Sequence, residues 1–239
     1  MSDNEPKQPV LSHLDELRRR LMWVGGAVVV GSVVAFVFRD AVFDLMVDPY
    51  RQVMDGRQLA FFRPTEAFSL FMRLSLFAGF VLASPIVVWH AWAFVVPALT
   101  RREKRYLFPM VSALVLLFAG GVWFGYWSLQ RGLGFLLEFG GDSLEPVIGG
   151  DFYLSFAIRF LLVFGLAFEF PVFLYGLSAA GVLGWRRLAA GRRWAVLAIV
   201  TVGAVATPSG DPLTLLLLSI PLYLLYEATI WLVRFTLRR

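Results

Sequence analysis

Six stretches of this chain are too long and too apolar for one water-soluble domain of its size to hide: residues 21–38, 69–96, 107–130, 153–178, 194–206 and 213–233. A helical bilayer crossing needs about 20 mostly apolar residues, because backbone polar groups in hydrocarbon must be satisfied within their own segment. A closed β-barrel would read as alternating apolar and polar residues, and runs such as Val111–Phe118 do not alternate. The expected fold is therefore an all-α integral membrane protein of six transmembrane helices, with residues 1–239 forming a single domain. Apolar residues make up 59% of the chain and charged residues only 16%, which agrees with that class.

An even number of crossings puts both termini on one side, and the distribution of Lys and Arg says which. Fifteen fall on the terminal side: Lys7, Arg18, Arg19, Arg20, Arg101, Arg102, Lys104, Arg105, Arg186, Arg187, Arg192, Arg193, Arg234, Arg238 and Arg239. Five fall opposite, at Arg39, Arg51, Arg57, Arg63 and Arg131, four of them in a first outer loop that also holds five acids. Both termini are expected in the cytoplasm. The polar first ten residues and the missing small-residue cleavage site argue against a cleaved signal peptide, so the first helix should stay. With no cysteine and two histidines, neither disulfides nor metal chemistry is expected.

The fifth segment, Trp194–Ala206, reaches only about 20 Å against a hydrocarbon core of roughly 30 Å. Either the bilayer thins there or Arg192 and Arg193 snorkel. Pro221 and Glu227 interrupt the sixth, and a short helical hairpin packed on its neighbours is an even alternative. Gly121 with Gly125, and the Gly25–Gly26 pair, are expected at helix contacts. Trp23, Trp92, Trp127, Trp185, Trp194 and Trp231 fall near segment ends, where an indole suits the interface.

Four places carry polar groups that need an account. In Ser12-His13-Leu14-Asp15-Glu16-Leu17-Arg18-Arg19-Arg20-Leu21, Ser12 and Asp15 have capping-box spacing, so a helix should start near His13 and skim the membrane before turning in. Glu16 then lies at the surface, either paired with Arg20 one turn on or available to a ligand. In the second cytoplasmic loop Glu103 follows Thr100 at capping-box spacing, and two glutamates amid basic residues can serve one cationic ligand if the loops converge. Phe168-Glu169-Phe170-Pro171 puts a carboxyl mid-segment, where it needs a polar cavity, a proton or a hydrogen bond from a neighbouring helix. Pro171 leaves the Ala167 carbonyl unpaired, so a kink is expected beside the acid. Asp211 is placed to cap the sixth helix ahead of Pro212, and Arg73 and Arg159 to snorkel outward.

Taken together, these landmarks resemble the TatC family, the multi-span receptor subunit of the twin-arginine protein translocase. The matching pieces are His13-Leu14-Asp15-Glu16-Leu17-Arg18-Arg19-Arg20, Asp48-Pro49, Pro64-Thr65-Glu66-Ala67-Phe68, Ala83-Ser84-Pro85, Trp92-Ala93-Phe94 with Pro97-Ala98-Leu99, Phe168-Glu169-Phe170-Pro171, and Thr207-Pro208 with Pro221 and Tyr226-Glu227. The resemblance implies a cupped six-helix bundle with short fifth and sixth helices. It implies no enzymatic reaction and no cofactor, metal or nucleic acid. Glu16 and Glu103 look like the family's signal-binding carboxylates, with Arg18 and Phe94 beside them. A guanidinium pair can be held bidentately where lysines cannot.

By the same resemblance Glu169 matches the intramembrane acid, and Pro49 and Asp211 belong to the partner-facing set. The implied partners are twin-arginine signal peptides of folded cargo, small single-span subunits of the TatA and TatB kind, membrane lipids and further copies of the complex. Transport would draw on the proton-motive force across the inner membrane, and no Walker-type glycine loop offers another source. Three departures touch the partner surface: His90 and Leu215 stand where the family often has Gln and a polar residue, and the turn at Asp211 is one residue longer. Two rival classes lack support. A proton-coupled transporter would show an inverted repeat, and a hydrolase a nucleophile elbow or HExxH motif.

Overall fold

The computed structural model describes residues 9–95, 107–138, 146–179, 181–207 and 210–237, with the side chains of 9–13, 94, 95, 107–110 and 206 left aside. Its helices are α1 (Pro9–Val37), α2 (Arg39–Val53), α3 (Glu66–Val95), α4 (Leu107–Glu138), α5 (Gly150–Ala167), α6 (Phe170–Ala179), α7 (Trp185–Ala190), α8 (Arg192–Ala206) and α9 (Pro212–Thr236). Among the described residues, five stretches are long and apolar enough to cross a membrane: Leu14–Val37, Glu66–Ala93, Val111–Glu138, Gly150–Ala179 and Pro212–Thr236. The fourth combines α5 and α6, which meet at a turn on Phe168 and Glu169. There the Glu169 amide reaches only back to Leu166, and the next helix starts from the Glu169 carbonyl, so the Pro171 kink lies where the sequence puts it.

Helices in lipid gain little by hiding apolar surface from one another, so close packing has to hold them. A Cβ on Gly121 would come 2.6 Å from the Phe164 carbonyl oxygen, and one on Gly165 would come 2.9 Å from Phe118, so α4 and α5 touch backbone to backbone. Gly125 meets Phe164 in the same seam. The contact makes α5 the centre of the fold, with Ala157, Phe160 and Phe164 wholly buried. The rings of Phe160 and Phe164 lie tilted with centroids 4.6 Å apart, and Phe124 of α4 extends the array to Phe168.

The Gly25–Gly26 pair meets nothing within 4 Å, contrary to expectation; Gly31 is the contact, 2.6 Å from the Gly79 carbonyl oxygen of α3. Gly31 lies on the α3-facing side of α1, whereas Gly25 and Gly26 are exposed. Ala35 is the single buried residue from Leu14 to Val37, so α1 is a peripheral helix laid along α3. Three other expectations are corrected. The first helix runs unbroken from Pro9, so Ser12 lies inside it rather than capping it, and no bend separates a surface segment from the span. The sixth helix is not short: α9 has 25 residues, about 37 Å, because Asp211 and Pro212 start it cleanly and Pro221 does not break it. Arg73 does not simply snorkel, since it pairs with Asp151 at 2.7 Å and donates to Ser155 at 3.0 Å.

The short fifth segment is observed: α8 has 15 residues, about 22 Å, and ends where Thr207 turns extended ahead of Pro208. Arg192 folds back onto Glu227 of α9, with Nε–Oε1 2.5 Å and Nη2–Oε2 2.9 Å, and Tyr223 donates to the same carboxylate. Tyr226 donates to the Leu188 carbonyl of α7 at 2.7 Å. This packs Leu174, Leu188, Tyr226, Ile230 and Val233 into a second, smaller core.

The loop between α1 and α3 contains α2, which sequence reading missed. Met46, Val47, Pro49 and Tyr50 form its buried face. Pro49 has no N–H for the Leu45 carbonyl, and the Tyr126 hydroxyl of α4 donates to that oxygen instead at 2.8 Å. Tyr153 of α5 donates to the neighbouring Met46 carbonyl, also at 2.8 Å. The proline thus exposes an acceptor that anchors α2 to the bundle. Tyr126→Phe should lower stability by about 1 kcal/mol, and by clearly less in a Pro49→Ala background, where an N–H at position 49 can serve Leu45. Equilibrium unfolding in detergent of the four proteins tests this; equal losses in both backgrounds refute it. By the same measurement Gly121→Leu should destabilise by about 1–3 kcal/mol and Gly25→Leu by less than about 0.5 kcal/mol.

Candidate functional site

The polar groups collect at the two ends of the bundle, with one carboxyl between. The direction of α1 against α3 decides which residues share an end. Gly31 meets Gly79, while Arg39, just past α1, lies over Phe36 and over Phe71 of α3 at 5.8 Å. Numbers rise along α1 as they fall along α3, so the pair is antiparallel. Fifteen residues from the crossing, about 22 Å in either helix, Glu16 of α1 and Phe94 of α3 come level at one end.

Within α1 the Glu16 carboxylate is held by Arg20, with Nη2 at 2.5 Å and Nε at 3.0 Å from Oε1. This is the one-turn pair that sequence reading offered as the plain alternative, and both side chains remain partly exposed. Such a pair contributes a few tenths of a kcal/mol and yields to a stronger cation. Arg18 is exposed on the same helix. Glu103 lies outside the described residues, as does the side chain of Phe94, so the two acids are not brought together here.

Both carboxylate oxygens of Glu169 are buried and find no hydrogen-bond partner among the described residues. Of the alternatives the sequence offers, a bond from a neighbouring helix is not seen among the described residues. A buried charge without a partner is unfavourable by several kcal/mol, so an ionised Glu169 requires a polar group from outside the described residues. His90 Nδ1 is likewise buried, with no hydrogen-bond partner among the described residues. Asp211, 8% exposed, accepts from the Thr214 amide at 2.8 Å and from the Thr214 hydroxyl at 2.5 Å, so its carboxylate caps α9 as expected. Pro49 is buried in α2 and acts through the Leu45 acceptor.

At the opposite end lies a network the sequence did not reveal. Glu66 accepts from the amides of Phe62 at 2.9 Å and Arg63 at 3.2 Å, and from the Asp151 amide of α5 at 3.0 Å. Ala60 bridges Ile148 and Gly150 beside it. One carboxylate thus joins the start of α3 to the start of α5 across 85 positions of sequence. The signal was the acid in the first turn of a helix, but its partner 85 residues away had none. At the Glu16 end, Arg234 lies over Trp185 at 4.9 Å and over Trp231 at 5.5 Å, so the indoles at that end are backed by cations.

Comparison with known proteins agrees with this geometry. The family model described as Sec-independent protein translocase protein (TatC) matches residues 12–221. The TatC protein of Carboxydothermus hydrogenoformans is 34% identical over 227 residues, covering 95% of this chain and 93% of the relative. That of Aquifex aeolicus is 37% identical over 234 residues, covering 97% of each. A crystal structure of the twin arginine translocase receptor TatC in DDM superposes with a TM-score of 0.81 at 37% identity, covering 92% of this chain and 99% of that one. Helices that span a membrane, packed in this order and matched over nearly their whole length, make the chain a member of the TatC family and a membrane-embedded subunit of the Sec-independent protein translocase.

Proposed function

We propose that the chain is the receptor of its translocase, binding the paired arginines of a folded cargo's signal peptide at the end of the bundle where Glu16 and Phe94 lie level. The single observation that carries this reading is the register of α1 on α3, which gives an acid and the end of the second crossing a common height. Glu103, in the loop that follows α3, supplies the second carboxylate. Arg18 and Phe94 flank the site, one setting the local charge and the other offering apolar surface to the peptide beyond its arginines. Glu16 gives up Arg20 for the ligand, a weak partner exchanged for a bidentate guanidinium.

In this proposal the chain crosses the inner membrane six times, with α8 as a short fifth crossing and both termini in the cytoplasm. The fifteen-to-five distribution of Lys and Arg supports that orientation. Cargo docking then recruits single-span TatA- and TatB-like subunits along the second, fourth or sixth crossing, in a larger complex driven by the proton-motive force. Glu169 is the intramembrane acid that a polar residue of a partner helix would meet, which suits a buried carboxylate with no bond among the described residues. Pro49 and Asp211 contribute indirectly, by shaping α2 and starting α9.

Binding of Arg-Arg and Lys-Lys signal peptides to the protein in nanodiscs tests the site. Wild type should prefer Arg-Arg, and the Glu16→Ala, Glu103→Ala double variant should bind that peptide about tenfold or more weakly, with the preference gone. Arg20→Gln, which removes the competing one-turn ion pair, should tighten Arg-Arg binding. Equal binding of both peptides by both proteins would return Glu16 and Glu103 to local roles in their own helices.

A further inference from the structure

At the end of the bundle away from Glu16, the starts of α3 and α5 and the loop before α3 enclose a cavity of about 310 Å³ lined by Phe62, Arg63, Ser69, Arg73, Asp151 and Phe152. Glu66, also on its wall, is already committed to three backbone amides. Arg73 uses Nη1 alone for Asp151 and Ser155, and its Nε and Nη2 have no partner among the described residues. Arg63 makes no ion pair among those residues, and Asp151 accepts only at Oδ1. The cavity therefore offers guanidinium donors and a carboxylate oxygen side by side.

Its position is as specific as its charge. Arg73 is seven residues beyond Glu66, about 10 Å into a helix that spans the membrane, at the depth of the interface. Phe62 is 69% exposed and Phe152 77% exposed at the mouth, where water-facing phenyl rings would be unfavourable and acyl chains would cover them. The four charged side chains Arg63, Glu66, Arg73 and Asp151 sum to zero, which suits a ligand with no net charge better than an anion.

We infer that this cavity binds the headgroup of an amine-bearing zwitterionic phospholipid of the adjoining leaflet. The phosphate accepts from Arg63 and from the free N–H groups of Arg73, and the primary ammonium donates to Asp151 Oδ2. The first acyl-chain carbons lie over Phe62 and Phe152. A quaternary ammonium has no N–H to donate, and a glycerol headgroup has no positive charge, so both fit less well.

Native mass spectrometry of the purified protein, with phosphatidylethanolamine, phosphatidylcholine or phosphatidylglycerol added to the detergent, tests this. Phosphatidylethanolamine should be retained about fivefold more than either alternative, and Arg63→Gln, which removes a donor to the phosphate, should lower its retention about fivefold, the order expected for one interfacial arginine. Ser69→Phe, which fills the cavity without altering a charge, should give the same loss, and each variant's unfolding in lipid-free detergent reports whether its fold is intact. Equal retention of the three lipids, unchanged phosphatidylethanolamine retention in folded Arg63→Gln or Ser69→Phe, or equal thermal stabilisation by inorganic phosphate alone would overturn the assignment.

Discussion

Everything in this fold rests on the seam in which Gly121 and Gly125 of α4 meet Gly165 and Phe164 of α5. In water, burial of apolar surface would drive such helices together. In hydrocarbon the surroundings are as apolar as the helices, and what remains is dispersion between atoms that fit closely. Glycines permit backbone contact, and the aromatic rings of α4 and α5 fill the space around it. The central position of α5 follows, and with it the peripheral place of α1, which lies along α3 with the Gly31–Gly79 crossing as its closest approach.

Directional bonds do their work at the ends of the helices, where water or headgroups are near. Glu66 joins α3 to α5, Tyr126 and Tyr153 hold α2, and Arg192 with Glu227 closes α8 against α9. Each connects segments that packing alone would leave free to slide. Glu169 is the exception: a carboxyl at the α5–α6 turn with neither oxygen bonded among the described residues. The same turn breaks the helix, so one short stretch provides both a bend and a polar group inside the membrane.

The α8–α9 hairpin has a different balance. Exposed Trp194, Leu197, Val202 and Val205 leave α8 held along one face, by α9. In the proposed six-span arrangement this 15-residue helix is shorter than the hydrocarbon layer, and the bilayer deforms beside it or a partner covers it.

Much of this was legible in the residues. Long apolar runs dictated helices because hydrocarbon offers the backbone no other donor or acceptor. Pro171 and Pro208 marked the kink and the end of α8, and Asp211 marked the start of α9, since these are local effects of a missing N–H or a cap. At the candidate site, Glu16 with Arg20 was readable as an i, i+4 pair, whereas its level with Phe94 was not. The α2 helix was hidden by its charges, although Met46, Val47 and Tyr50 carry helical spacing. Which glycines touch, which carbonyl Tyr126 reaches, and that Arg73 pairs with Asp151 were decided by tertiary structure alone. Sequence fixes what each segment must satisfy within itself, but the choice of neighbour depends on how whole helices pack, and no short-range pattern encodes that.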